Sequence, residues 1–113
     1  MNLDEIEAWL GQPLPDPYVS FLKMTTDSFF AANNRTLLYG RDDIVERNET
    51  YETKEYCPGN LMVGDDSGGT AFLLSLNDGY IYAAGMGSMS PDQFKLVESN
   101  FSLWANKGFP FCG

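Results

Sequence analysis

The sequence contains no histidine and only two cysteines, Cys57 and Cys112. Without histidine there is no ordinary general base for an activated serine, and no imidazole ligand for a metal. The cysteines form no CxxC pair, and in a reducing compartment they are expected to remain two thiols. Basic residues are scarce as well: seven face sixteen acids, giving a net charge of -9 and a pI near 4.1. That balance argues against nucleic acid and anionic membranes as partners, because both require a basic face. A basic protein is the natural complement, although acidity also serves solubility alone. No apolar run approaches the roughly 20 residues needed to cross a bilayer. The acidic opening Met1-Asn2-Leu3-Asp4-Glu5 lacks the basic and apolar regions of a signal peptide, so a cytoplasmic location is expected.

What is present is a folding composition. The 113 residues are 43% hydrophobic and 14% aromatic, enough for one domain over residues 1–113 with a single core. The longest apolar region, Leu61 to Ala84, reads as short runs punctuated by glycine, asparagine and aspartate. This is the pattern of a β-meander and is expected to form the central sheet.

Helical signals surround it. Asn2 and Glu5 fit a capping box, Leu3, Ile6, Trp9 and Leu10 share one face, and Gly11 ends the helix. Asp16 as N-cap and Pro17 at the first position predict a helix over 17–25, with Tyr18, Phe21 and Leu22 inward and Val19 and Met24 flanking. Residues 26–34 give mixed signals, and Thr36-Leu37-Leu38-Tyr39 predicts a strand closed by Gly40. Asp42 or Asp43 is then expected to cap a helix with Ile44, Val45, Asn48 and Tyr51 on one face and Glu46, Glu49 and Glu52 on the other. Ser90-Pro91-Asp92-Gln93 carries the best-marked helix start, with Met89 and Phe94 as a hydrophobic staple. Phe94, Val97, Phe101 and Trp104 are expected to form its buried stripe, and Phe109 and Phe111 to tuck back.

The loop Gly64-Asp65-Asp66-Ser67-Gly68-Gly69 carries the letters of a serine-protease nucleophile segment. The absence of histidine and the short chain remove that reading. It lacks the ligand spacing of a calcium loop and the lysine of a phosphate-binding loop. No catalytic residue, metal ligand or cofactor is therefore assigned. The plain reading is a turn with Asp65 and Asp66 facing water. A small-ligand or cation site in the loop is the sharper alternative. Between Asp42 and Asp66, eight acids face only Arg47 and Lys54, an excess of six negative charges. If helix face and loop are neighbours, Asp42, Asp43, Glu46, Glu49, Glu52, Asp65 and Asp66 form a partner-binding patch that steers a basic protein.

The order of segments resembles the SUKH superfamily of the Smi/Knr type, which includes fungal cell-wall regulators and bacterial immunity proteins. The matching pieces are Leu14-Pro15-x-x-Tyr18-x-x-Phe21-Leu22, Leu37-Leu38-Tyr39-Gly40 with Ile44 and Tyr51, and Met62 to Gly69 continuing through Phe72-Leu73-Leu74. Asp78-Gly79-Tyr80-Ile81-Tyr82 and a late helix near Phe94 complete it. The chain departs from the family at Thr25-Thr26-Asp27-Ser28, where members usually carry an Asn-Gly-Gly-like turn. The resemblance implies an α+β domain with a largely antiparallel sheet of about four to six strands and helices around it. It also implies a non-enzymatic binder, either an immunity protein that neutralises a cognate toxin, often a nuclease, or a regulatory scaffold module.

Overall fold

Short apolar runs separated by turns dictate the centre of the molecule. The computed structural model describes residues 2–87 and 90–111. Three central strands, β3 (Asn60–Asp65), β4 (Thr70–Ser75) and β5 (Ile81–Gly85), run antiparallel as predicted. Short outer strands extend them: β1 (Phe29–Phe30) and β2 (Leu37–Leu38) beside β3, and β6 (Lys95–Glu98) beside β5. The sheet is antiparallel throughout, in the order β1-β2-β3-β4-β5-β6. Five α-helices lie among the described residues: α1 (Leu3–Leu10), α2 (Asp16–Lys23), α3 (Ile44–Thr50), α4 (Thr53–Tyr56) and α5 (Phe101–Asn106). The architecture is α+β.

Both faces of β3 and β4 are buried, so Leu61–Val63 and Ala71–Leu74 are apolar without a break. On one face Phe72 packs against Trp104 of α5, whose neighbour Phe101 meets Tyr18 of α2 edge-on at 4.9 Å. Residues 108–111 close this side. Phe109 is buried in a left-handed conformation (φ 59°), and its carbonyl accepts from Thr36 Oγ1 at 2.9 Å and Asn33 Nδ2 at 3.3 Å. Phe111 packs edge-on against Phe72. Both phenylalanines therefore tuck back as expected.

The capping box of α1 forms as predicted, with Glu5 N–H on Asn2 Oδ1 at 2.9 Å and Gly11 left-handed at the other end. Helix α2 starts a residue early. Tyr18 and Val19 N–H groups both reach the Pro15 carbonyl, so Pro15 takes the N-cap position, Asp16 is already helical and no side chain caps. Met24, expected to flank the apolar face, lies past the last turn and is exposed. Helix α3 also begins without a side-chain cap, because Asp43 instead accepts from Ser28 Oγ at 2.5 Å. The chain breaks at Glu52 (φ 54°), where a continuous acidic face was expected, and restarts as α4.

The largest departure follows Ser90. Its hydroxyl turns to the Asp92 carboxylate instead of capping, and residues 91–93 make only one 3-10 turn. Phe94 is extended (φ -68°, ψ 137°), and Lys95–Glu98 pairs with β5 where the strand edge is otherwise unpaired. The helix begins later, at Asn100, whose Oδ1 accepts from Leu103 N–H at 2.8 Å. Phe101 and Trp104 are buried as expected, but Phe94 and Val97 belong to the sheet margin. Met89, the expected staple partner, lies outside the described residues, as does Cys112. Cys57 is a buried thiol whose pKa burial pushes up to about 11.

One side chain replaces a strand. Strand β2 pairs with β3 only at Gly64 and Asp65, leaving Met62 beyond its reach. Asn48, on the apolar face of α3, fills the gap. Its Oδ1 accepts from Met62 N–H at 2.8 Å, and its Nδ2 donates to Met62 O at 2.9 Å. The remaining capacity goes to Ile44 O at 2.8 Å and Thr53 Oγ1 at 2.7 Å, so both donors and both acceptor positions of this buried amide are used. Asn48→Ala should strand both Met62 groups and cost roughly 2–4 kcal/mol, read as a lower urea midpoint at unchanged slope. A loss under about 0.5 kcal/mol would contradict that role. Tyr18 offers the opposite case: its hydroxyl is buried and has no hydrogen-bond partner among the described residues. Tyr18→Phe should therefore leave stability equal or raise it by about 1 kcal/mol, and a clear loss would mean the hydroxyl is bonded.

Candidate functional site

The glycine-rich loop after β3 is built by its own aspartates. Asp65 ends β3 and is buried, contrary to the expectation that it faces water. Its Oδ2 accepts a hydrogen bond from the Tyr39 hydroxyl, and its Oδ1 accepts from Ser67 N–H at 2.8 Å. Burial, and then the bond to Asp65, raise the Tyr39 pKa, so the phenol stays protonated and donates. The Arg47 guanidinium lies 5.9 Å from the centre of the Tyr39 ring. Asp66 is half-buried and turns into the loop, where its Oδ1 accepts from Gly68 N–H at 2.7 Å and Thr70 N–H at 2.9 Å. Ser67 and Gly69 take the left-handed conformations that close the turn. On the strand before it, a Cβ at Gly64 would collide with the Leu37 carbonyl, which explains glycine there.

The loop's carboxylates are thus engaged in holding its shape. Asp66 also lines a hollow of about 290 Å³ with Arg35, Thr36, Thr70 and Phe111, while none of the helical acids lines it. Among the described residues no group of three or more acids, histidines or cysteines is arranged to hold a metal ion.

The acids of α3 and α4 are placed differently. Glu46 and Glu49 are exposed three residues apart on one side of α3, and Asp42 is exposed in the turn before it. Exposed Glu52 and Glu55 continue the series across the break. Asp43 is half-buried on Ser28 and stands apart from this ridge. The intervening cations turn away. Lys54 donates to the Trp9 carbonyl at the end of α1, with its ammonium 4.2 Å from the centre of that indole ring. Arg47 lies on Tyr39. Arg41 donates to the Leu22 and Lys23 carbonyls at the end of α2 and to Thr26 Oγ1 at 2.6 Å. Among the described residues, Glu46, Glu49, Glu52 and Glu55 form no ion pair.

The family model described as the SMI1 / KNR4 family (SUKH-1) matches residues 2–107, from the cap of α1 to the end of α5. The chain belongs to this family. No curated protein matches it. The resemblance drawn from the order of its segments is therefore correct, as is the α+β architecture that it implied. No helix among the described residues of this SUKH-1 chain is long and apolar enough to cross a membrane.

Of the acids singled out in the sequence, the SUKH-1 fold keeps Asp42, Glu46, Glu49 and Glu52 at the surface and draws Asp43, Asp65 and Asp66 into internal hydrogen bonds. The sequence reading missed a second surface. It placed Tyr82 in the central sheet without marking it as surface and Phe94 in a helix, whereas both are half-exposed at the sheet margin and Leu96 is exposed. Lys95-Leu96-Val97-Glu98 does not alternate strictly between polar and apolar residues, so no clear strand signal marks it.

The loop makes a pH prediction. Partial burial opposes the charged form of Asp66, but the Thr70 and Gly68 N–H groups outweigh it and hold the pKa below the ordinary 3.8. A carboxylate with a depressed folded-state pKa adds stability that is complete above its unfolded value and lost as pH falls through the folded one. Asp66→Ala should therefore lower the melting temperature fully at pH 6, with the difference from the parent narrowing below pH 3.8. A difference constant over that range would assign the effect to something other than the charge.

Proposed function

We propose that this SUKH-1 chain is a non-enzymatic immunity protein. It binds and neutralises a cognate toxin with a basic surface, such as a nuclease, in the cytoplasm of the cell that needs protection. The observation that carries the reading is the exposed series Glu46, Glu49 and Glu52, whose neighbouring cations Arg47 and Lys54 lie on aromatic rings. A net charge of -9 adds a long-range field of the same sign. A nuclease must present cations to hold phosphate, and an acidic protein can occupy that surface in place of the substrate. Family membership supports the class of activity. Complementary charge supports rapid encounter and choice of partner more than raw affinity.

The test is co-expression with the toxin domain encoded next to this reading frame. The parent protein should restore growth, and failure to do so would remove the immunity reading. With purified proteins, Glu46→Lys/Glu49→Lys should slow association about tenfold or more at low salt, and less at high salt, with a smaller change in dissociation. An association rate equal to the parent's at low salt would show that the ridge plays no part.

A further inference from the structure

Residues directly opposed across antiparallel strands project from the same face. Met62, Leu73, Tyr82 and Leu96 are opposed in sequence from β3 to β6, so they form one row across the sheet. Met62 and Leu73 are completely buried, Tyr82 is half-buried, and Leu96 is 59% exposed. The cover on that face ends between β4 and β5. On the other face, Ile81 and Ala83 of the same strand are buried, so the exposure is one-sided.

Aromatic rings widen the open end of the row. Tyr80 is exposed, and its ring lies 6.3 Å from that of Tyr82; the Phe94 ring lies 5.6 Å from Tyr82. The charge beside this strip is negative. Asp78 Oδ1 accepts from Tyr80 N–H at 3.0 Å, and after burial its charge is the next cause raising the Tyr82 pKa. Lys95 is opposed to Ala83 and so belongs to the other face. At the covered end of the row, α3 holds the main chain of Met62 through Asn48.

We infer that Tyr80, Tyr82, Phe94 and Leu96 form a docking surface for an arginine-bearing face of a basic partner protein. The inference rests on the immunity reading for the partner's identity, but not for its chemistry. A guanidinium can stack flat on a tyrosine ring and still offer N–H groups to the Asp78 carboxylate, whereas an ammonium offers only a point charge. Tyrosine gives a large, rigid contact at low entropic cost, and such residues are concentrated in the energetic centres of interfaces. A second copy of this chain would bring another -9 to the contact and is disfavoured as the occupant.

Titrating the isotope-labelled parent protein with an arginine-glycine repeat peptide, and with its lysine counterpart, tests the surface directly by NMR. Amide shifts should concentrate at residues 80–82 and 94–96, with the arginine peptide binding about threefold tighter or more. Shifts confined to the α3–α4 acids, or equal affinity for both peptides, would overturn the inference. Tyr80→Ala/Leu96→Ala alters exposed side chains and should melt like the parent, yet lose these shifts. Against the neighbouring toxin domain, the same variant should bind about tenfold more weakly or worse. Parent-level protection by the variant would refute the strip and leave immunity standing. If the parent itself fails to protect, the immunity reading falls and the peptide titration alone decides the strip. Concentration-dependent self-association that the variant abolishes would give the surface to a second copy and refute the inference.

Discussion

The structure depends on a carboxamide standing in for a β-strand. Strand β2 is too short to cover the full edge of β3, and a buried unpaired N–H and C=O together cost several kcal/mol. Asn48 meets both groups of Met62 and spends its remaining capacity on Ile44 and Thr53. The same side chain therefore ties α3 to the sheet and brings α4 into place. An apolar residue would bury as well but leave the strand edge unsatisfied. The acidic ridge holds its position because it is the outer side of the helix whose inner side makes this connection.

How far the sequence reveals this varies by element. The meander was legible because its strands alternate short apolar runs with turns that need glycine or aspartate. The first helix was legible from both caps. Asn48 was visible as one polar residue on an otherwise apolar helix face, a pattern that asks for a buried partner but does not name it. Ser90-Pro91-Asp92-Gln93 misled because a capping box is a local signal, and the unpaired edge of β5 is not local. Pairing Lys95–Glu98 with that edge satisfies backbone groups that a longer helix would have left open. Asn100 then supplied the cap ten residues later. The burial of Asp65 was hidden for a similar reason, since its partner Tyr39 lies 26 residues away.

The surface divides its acids into two kinds of work. Asp65, Asp66 and Asp43 accept hydrogen bonds within the fold and set the shape of the loop and the start of α3. Glu46, Glu49 and Glu52 remain outward. Counting charges along the chain merges these groups, because hydrogen-bonding geometry is not written in composition. The cations follow the same logic. Lys54 and Arg41 complete the ends of α1 and α2, where helix carbonyls attract positive charge, and Arg47 lies on Tyr39. Local helix-end chemistry thus also arranges the field that a partner meets.

The closing residues carry a consequence for synthesis. Phe109 fills the space beside Phe21, Phe101 and Trp104, and its carbonyl takes hydrogen bonds from side chains 73 and 76 residues earlier. Contacts so distant in the chain cannot form until their later partner has been made. On a ribosome, where the last few dozen residues are still enclosed in the exit tunnel, the β1–β2 side of the sheet must wait with this pocket unfilled. The native core is completed only after residue 109 has emerged, so the nascent chain has a window in which its aromatic interior remains open to chaperones.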